Sequence, residues 1–194
     1  MSRIRVDMTM SLDGYVTGRD DGPEAPMGVG GFRLFNWLDL RNDPGPSGEA
    51  YAEGLATRAL ISGRRTYELA GRWGGDHHDG VPILVLTHHI PDEAPPGTVR
   101  YVTDVHECAA QARAAVGDGV AMVHGAGAAQ ALLQAGELDE LDLHLVPVLL
   151  GRGRRLFDHL GVEHIELELI RQVRTRDVDD PGQHVLHLRY AVRQ

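Results

Sequence analysis

The chain predicts an α/β fold: a mixed, mostly parallel central sheet of about eight strands, helices on both faces and a C-terminal antiparallel hairpin. Two observations carry this. Short apolar runs suited to buried strands alternate with about four segments of helical periodicity, and the last part of the chain holds two strand-like runs with no helix between them. At 194 residues the chain suits one domain spanning 1–194.

Ile4, Val6, Met8 and Met10 alternate with Arg5, Asp7 and Thr9. This predicts a strand with one buried face, ending at the turn-forming pair Asp13-Gly14. Tyr15 to Gly18 reads as a short continuation. Arg19 to Gly31, rich in Asp, Gly and Pro, reads as a long loop of the kind that often carries function. Phe32, Leu34, Phe35, Trp37 and Leu38 follow, and two readings stand for them: a helix face packed on the sheet, or the wall of a pocket for a flat ring. A helix is expected from near Ser47.

Ala59 to Ser62 is a brief strand, and G-R-R-T-Y-E opens a helix with Thr66 or a neighbour as its cap. Arg64 and Arg65 are either solvated surface charges or, at a strand-to-helix junction, partners for the 2′-phosphate of NADP. G-R-W-G-G-D-H-H-D-G reads as a solvated glycine-rich loop; His77 and His78 are adjacent and lack a third histidine at ligand spacing, so no metal site is expected. Val81 to Thr87 is a buried strand ending in Thr87, His88 and His89, which either cap it or line a phosphate site at its carboxyl end. Val99 to Val102 is a further short strand. Asp104 to Val116 reads as an amphipathic helix with Val105, Ala109, Ala112 and Val116 inward and Cys108 as a packing residue.

Val120 to Val123 reads as a strand, breaking at Gly125, Ala126 and Gly127 into a helix through Leu133 that Gly136 closes. Backbone N–H groups in a helix's first turn lack partners within the helix, and with the helix dipole they form an anion site that small residues let a phosphate approach. Small residues at such a turn equally serve tight packing. Leu141, Leu143 and Leu145 start a strand, Pro147 precedes the apolar Val148 to Leu150, and two runs, His164 to Arg176 and His184 to Val192, flank the turn D-D-P-G-Q.

Composition narrows the function. Hydrophobic residues at 42% and charged residues at 24% are ordinary for a soluble globular chain and indicate no membrane span. A formal net charge of -9 argues against a nucleic-acid surface. A single cysteine excludes an internal disulfide, and M-S-R-I-R-V-D has no apolar stretch long enough for a signal peptide, so a cytoplasmic location is expected. Neither G-x-S-x-G nor a P-loop occurs.

Four blocks in order, S-L-D-G-Y (Ser11 to Tyr15), G-R-R-T (Gly63 to Thr66), L-T-H-H (Leu86 to His89) and H-G-A-G-A-A (His124 to Ala129), followed by A-G-E-L-D-E-L and P-V-L-L-G-R-G-R-R-L-F, resemble the reductase domain of riboflavin biosynthesis and its stand-alone relatives, which share the dihydrofolate reductase fold. The resemblance implies NADPH as cofactor. It puts Val16, Thr17 and Gly18 near the nicotinamide; Gly63, Arg64, Arg65 and Thr66 with Thr87, His88 and His89 around the adenosine phosphates; and Gly125, Ala126, Gly127, Ala128 and Ala129 on the pyrophosphate. A small heterocyclic or carbonyl substrate is implied between Asp13 and the segment holding Phe35 and Trp37, with hydride transfer to a C=N or C=O carbon and a nearby acid relaying a proton. For Asp13 a turn-forming role stands beside the catalytic one.

The chain departs from the family's pattern in its glycine turn and lacks the glutamate that riboflavin reductases proper place there. Three readings therefore follow: an NADPH-dependent reductase of a small molecule, the riboflavin-pathway 5-amino-6-(5-phosphoribosylamino)uracil reductase itself, or a non-catalytic NADPH-binding or structural dimer protein. A homodimer is expected, and two readings stand for Leu141 to Leu150 and for the final hairpin: a dimer surface or part of the core.

Overall fold

The computed structural model describes residues 1–193 apart from 94, 159, 162–163 and 176–178; the expected strand end at Arg176 lies outside the described residues. Strand β1 (Arg3–Ser11) lies within an eight-stranded sheet. Helix α1 (Pro46–Leu55), β2 (Ala59–Gly63), α2 (Arg64–Leu69), β3 (Ile83–Leu86), β4 (Val99–Val102), α3 (Val105–Val116), β5 (Val120–His124), α4 (Ala126–Gln134), β6 (Glu140–Val146), β7 (Leu167–Arg174) and β8 (Leu186–Val192) follow, with 3-10 segments at Gly31–Leu40 and Gly71–Gly75. The strand order is β4-β3-β2-β5-β1-β6-β8-β7. Pairs from β4 through β6 are parallel, and β8 and β7 close the sheet antiparallel.

Local chemistry sets the boundaries. Asp104 caps α3 by accepting from the Glu107 N–H at 2.8 Å, and Gly136, at φ 70, takes the left-handed turn that ends α4. Thr66 does not cap α2, which starts two residues earlier at Arg64. Likewise Ser47 lies inside α1, whose entry is made by Gly45 and Pro46.

The period-2 pattern places Ile4, Val6, Ile61, Leu84 and Val123 against Cys108, Ala109 and Ala112 of α3 and Ala129 and Leu132 of α4. Burial pushes the Cys108 thiol up to about 12, consistent with a packing residue. On the opposite face Leu60, Ile83, Val85 and Met122 pack with Tyr67 of α2.

That second face is polar under α1. Arg5 and Thr9 are buried, as Ile4 and Val6 are on the other face, so β1 is covered on both sides. Arg5 pairs with Asp142 at 3.8 Å and with Glu140 at 3.9 Å, and Asp142 also receives Arg189. Further along the sheet, Asp7 on β1, His144 on β6 and His187 on β8 form a second polar group, with His144 opposite His187 and diagonal to Asp7. Because β6 lies between β1 and β8, Leu141 and Leu143 are buried in this chain, whereas Leu149 of the same run is exposed.

Candidate functional site

A cleft of about 1890 Å³ lies over the carboxyl ends of β2, β3 and β5 and across the polar face of β1. At its centre two strand-to-helix junctions meet. A Cβ on Gly125 would come within 2.3 Å of Thr66 Oγ1, so glycine, at φ +98, lets the two turns close on each other. Across the same contact, a Cβ on Gly63 would reach the Ala128 N at 3.5 Å. Small residues therefore serve both tight packing and access: no side chain caps α4, and Gly125, Ala126, Gly127 and Ala128 line the cleft.

Arg64, Arg65, Thr66, Thr87, His88 and His89 line the same space. Arg64 donates to the His89 carbonyl at 3.3 Å, and Thr87 Oγ1 donates to it at 2.9 Å, which ties the Gly63–Thr66 and Thr87–His89 blocks together. Arg65 turns the other way. Its guanidinium grips Asp21 through Nε at 3.1 Å and Nη2 at 2.9 Å, and Arg154 Nε donates to the same oxygen at 2.8 Å. Burial raises the Asp21 carboxyl, but Arg154 and Arg65 together hold it below the ordinary range.

Val16 and Thr17 also line the cleft. Gly18 does not; its missing side chain makes room for Val29, whose carbonyl oxygen would lie 1.9 Å from a Cβ there. Ala129 likewise faces away, into the core beneath α4. Phe35 is exposed at the cleft wall. Trp37 is buried, donates to Thr9 Oγ1 at 3.1 Å, and stacks at a tilt on His144 at 4.6 Å while lining the cleft.

Asp13 is not a lining residue. Its Oδ1 accepts from Ser11 Oγ at 2.6 Å and from the Leu150 N–H at 3.1 Å, and its Oδ2 from the Gly151 N–H at 2.7 Å. The carboxylate is spent on holding the Leu150-Gly151 segment against the end of β1. The catalytic expectation for Asp13 is thereby replaced by the structural one, because an acid whose oxygens are occupied outside the cleft has no path to a substrate inside it.

The carboxylate that does face the cleft is Asp7, which the strand pattern had assigned to a polar face. Its Oδ1 lies 3.3 Å from His144 Nε2, and Oδ2 has no hydrogen-bond partner among the described residues. Burial pushes Asp7 up, but His144, His124 and Arg5 outweigh it and bring it down to about 2. His124 Nδ1 donates to the Asp7 carbonyl at 2.8 Å, and burial keeps His124 below the usual imidazole range. The His77-His78 loop is not simply solvated: His77 lines the cleft, lies 2.6 Å from His78 through Nδ1 atoms, and is driven down to about 4 by burial, with His124 and His78 adding to it. The available signal for these residues was slight: Asp7 in the polar alternation of β1, one histidine at the end of β5, and the adjacent His77-His78 in a glycine-rich loop. It becomes legible only once those strands are paired.

A family model described as RibD C-terminal domain matches residues 2–179. Among curated proteins none matches the chain. Solved structures do. A putative riboflavin biosynthesis protein from Shewanella sp. PV-4 superposes with a TM-score of 0.70 at 22% identity, covering 100% of both chains. A dihydrofolate reductase from Enterococcus faecalis, complexed with NADP(H) and RAB-propyl, gives 0.62 at 16% identity over 99% of this chain and 97% of that one. A pyrimidine reductase-like protein from Corynebacterium diphtheriae gives 0.65 at 13% identity over 99% and 92%. At these identities the likeness shows the dihydrofolate reductase fold.

Proposed function

The chain belongs to the RibD C-terminal domain family, and from that premise we propose that it is an NADPH-dependent reductase of a small molecule. One observation carries the reading: the Gly63–Thr66 and Gly125–Ala128 junctions close on each other and open, with an uncapped α4, onto one cleft edged by arginines. The residues present fit the cofactor. Nothing lies within 4 Å of a Cβ built on Gly127, so the first turn of α4 has open space before it for the pyrophosphate. Arg64 with the Thr87–His89 turn suits the phosphate of the adenosine, and Arg65 and Arg154 stand along the same wall. Val16 and Thr17 stand where the nicotinamide is expected.

When bound, the dihydronicotinamide supplies a hydride. The chain's own part is to hold the cofactor's phosphates by backbone N–H groups and guanidinium forks, to wall the substrate with Phe35 and Trp37, and to present Asp7. Arg64, not Arg65, is the better candidate for the 2′-phosphate, since Arg64, with Nε on Glu68 at 2.8 Å, still reaches the Thr87–His89 turn through Nη1, whereas Arg65 spends both Nε and Nη2 on Asp21. Fluorescence titration of the purified protein should give tighter binding of NADPH than of NADH. Arg64→Ala should remove about tenfold of that preference while leaving NADH binding nearly unchanged. Absence of binding by either nucleotide would refute the reductase reading.

A further inference from the structure

We propose that the corner of the cleft where Trp73, His77 and His124 meet is a substrate subsite that takes a neutral N–H or O–H donor, and that the substrate carries no phosphoryl or carboxylate group at that end. The inference rests on the reductase reading and deepens it by stating what the far end of the substrate is.

The corner begins with the backbone of the Gly71–Gly75 segment. Arg72, Trp73 and Gly74 stand in succession at φ 56, 45 and 61, a left-handed turn that is strained at the two residues with a Cβ. Its base is packed so closely on the Pro96-Gly97 turn that a Cβ on Gly97 would lie 2.4 Å from the Gly75 carbonyl oxygen. The turn sets the Trp73 ring at a tilt against Tyr67, with centroids 5.9 Å apart, and in a T-shaped contact with His77 at 5.0 Å. His77 in turn lies 5.2 Å from His124, and Trp73, His77 and His124 all line the cleft.

Hydrogen bonding behind the rings fixes where their protons are. Thr57 gives its hydroxyl proton to the Gly54 carbonyl at 2.7 Å. His78 Nε2, 3.0 Å from the Thr57 carbonyl oxygen and 3.4 Å from that hydroxyl oxygen, therefore faces acceptors only and carries a hydrogen. As a neutral ring His78 then has a bare Nδ1, and His77 Nδ1, 2.6 Å away, donates to it. That leaves His77 Nε2 without a proton. His124 reaches the same state, because its Nδ1 donates to the Asp7 carbonyl at 2.8 Å. Neither Nε2 has a hydrogen-bond partner among the described residues. Burial, with His124 and His78 adding to it, holds His77 down at about 4, so the ring stays a neutral acceptor.

The corner thus presents two lone pairs beside an indole. A ligand N–H or O–H satisfies them, whereas a phosphate or carboxylate brings only further acceptors and gives up its water for no bond. The guanidinium groups that line the cleft are committed elsewhere: Arg64 reaches the His89 carbonyl, Arg65 and Arg154 hold Asp21, and Arg155 lies over Tyr15.

Benzamide and acetophenone, planar probes that differ in an NH₂ against a CH₃, test the corner without turnover, and phenyl phosphate supplies the charged end. Trp73 touches His77, so intrinsic fluorescence can follow binding beside calorimetry, with NADP⁺ present to fill the phosphate-binding turns. The wild-type protein should bind benzamide about tenfold tighter than acetophenone and at least about tenfold tighter than phenyl phosphate. His77→Phe should bring benzamide and acetophenone within about twofold while NADPH affinity is kept. Without any variant, nitrogen NMR on histidine-labelled protein at about pH 8 should show His77 as the Nδ1–H tautomer, with its Nε2 signal moving upfield as benzamide is added. An Nε2–H tautomer for His77, phenyl phosphate bound as tightly as benzamide, or a benzamide preference that survives in His77→Phe overturns the inference. Those results with NADPH still bound sink this inference alone, whereas a benzamide preference in a protein that binds neither nucleotide sinks the reductase reading.

Discussion

Asp13 and Asp7 show how one residue type is given different work by its neighbours. Both are half-buried and both are kept ionised, Asp13 by Ser11 and two backbone N–H groups, Asp7 chiefly by His144. Their difference is direction: Asp13 points along the chain surface to Leu150 and Gly151, and Asp7 into the cleft. Asp13→Ala should therefore lower stability by about 1 kcal/mol, roughly 2–4 °C in Tm, because the loop N–H groups lose their acceptor to water. Its effect on NADPH affinity should be under about twofold. Thermal melts and nucleotide titrations on the same variant check this, and a large loss of affinity at unchanged Tm would restore Asp13 to the site.

Between β1 and the first 3-10 segment, the long connection is an element in its own right. Arg19 bridges to Val29 and Gly22 to Ala25, so the segment folds back on itself and carries Asp21 to the cleft wall. There Asp21 takes the hydrogen bonds of Arg65 and Arg154 that an anionic ligand would seek. A carboxylate and a phosphate compete for the same guanidinium forks. Asp21→Asn keeps the shape and removes the charge, so NADPH should bind about fivefold more tightly, the equivalent of about 1 kcal/mol of ion pairing released. The gain should shrink as salt is raised. Unchanged affinity at low salt would mean that the two arginines do not serve the cofactor.

Across the whole molecule, the polar face under α1 ties stability to pH. The folded-state values of His187 and His77 lie at about 3 and about 4, below the ordinary imidazole value of 6.5. A depressed folded value means that the unfolded chain binds more protons through the interval, so stability is fully present above about pH 6.5 and is lost as pH falls. Each such histidine costs on the order of 1.4 kcal/mol per pH unit between the two values. Asp7 adds its own loss only below 3.8, down to about 2. Urea melts should thus show the midpoint falling between pH 6 and pH 5, before carboxylates titrate. A flat midpoint over that interval would contradict the burial of these rings as neutral groups. Among the described residues no helix is long and apolar enough to cross a membrane.

Much of this architecture is written locally. Strand and helix periodicities, the glycines at Gly125 and Gly136, the cap at Asp104 and the order of the four motif blocks are properties of neighbouring residues, and short-range sterics act on them before any fold exists. The sequence by itself therefore determined the α/β class and the mostly parallel sheet with its closing hairpin, and left packing and ligand contact open at the strand-to-helix turns. Strand pairing decided the rest. Asp7, His144 and His187 are separated by 137 and 43 residues along the chain, and the pairing of β1, β6 and β8 sets His144 opposite His187 and diagonal to Asp7, which brings the three into contact. Tertiary packing also moved Asp13 out of the site, and it turned Arg65 toward Asp21 and Arg64 toward His89. Hydrogen-bond partners of a charged side chain are chosen by what the fold brings within about 3 Å, and no local pattern carries that information.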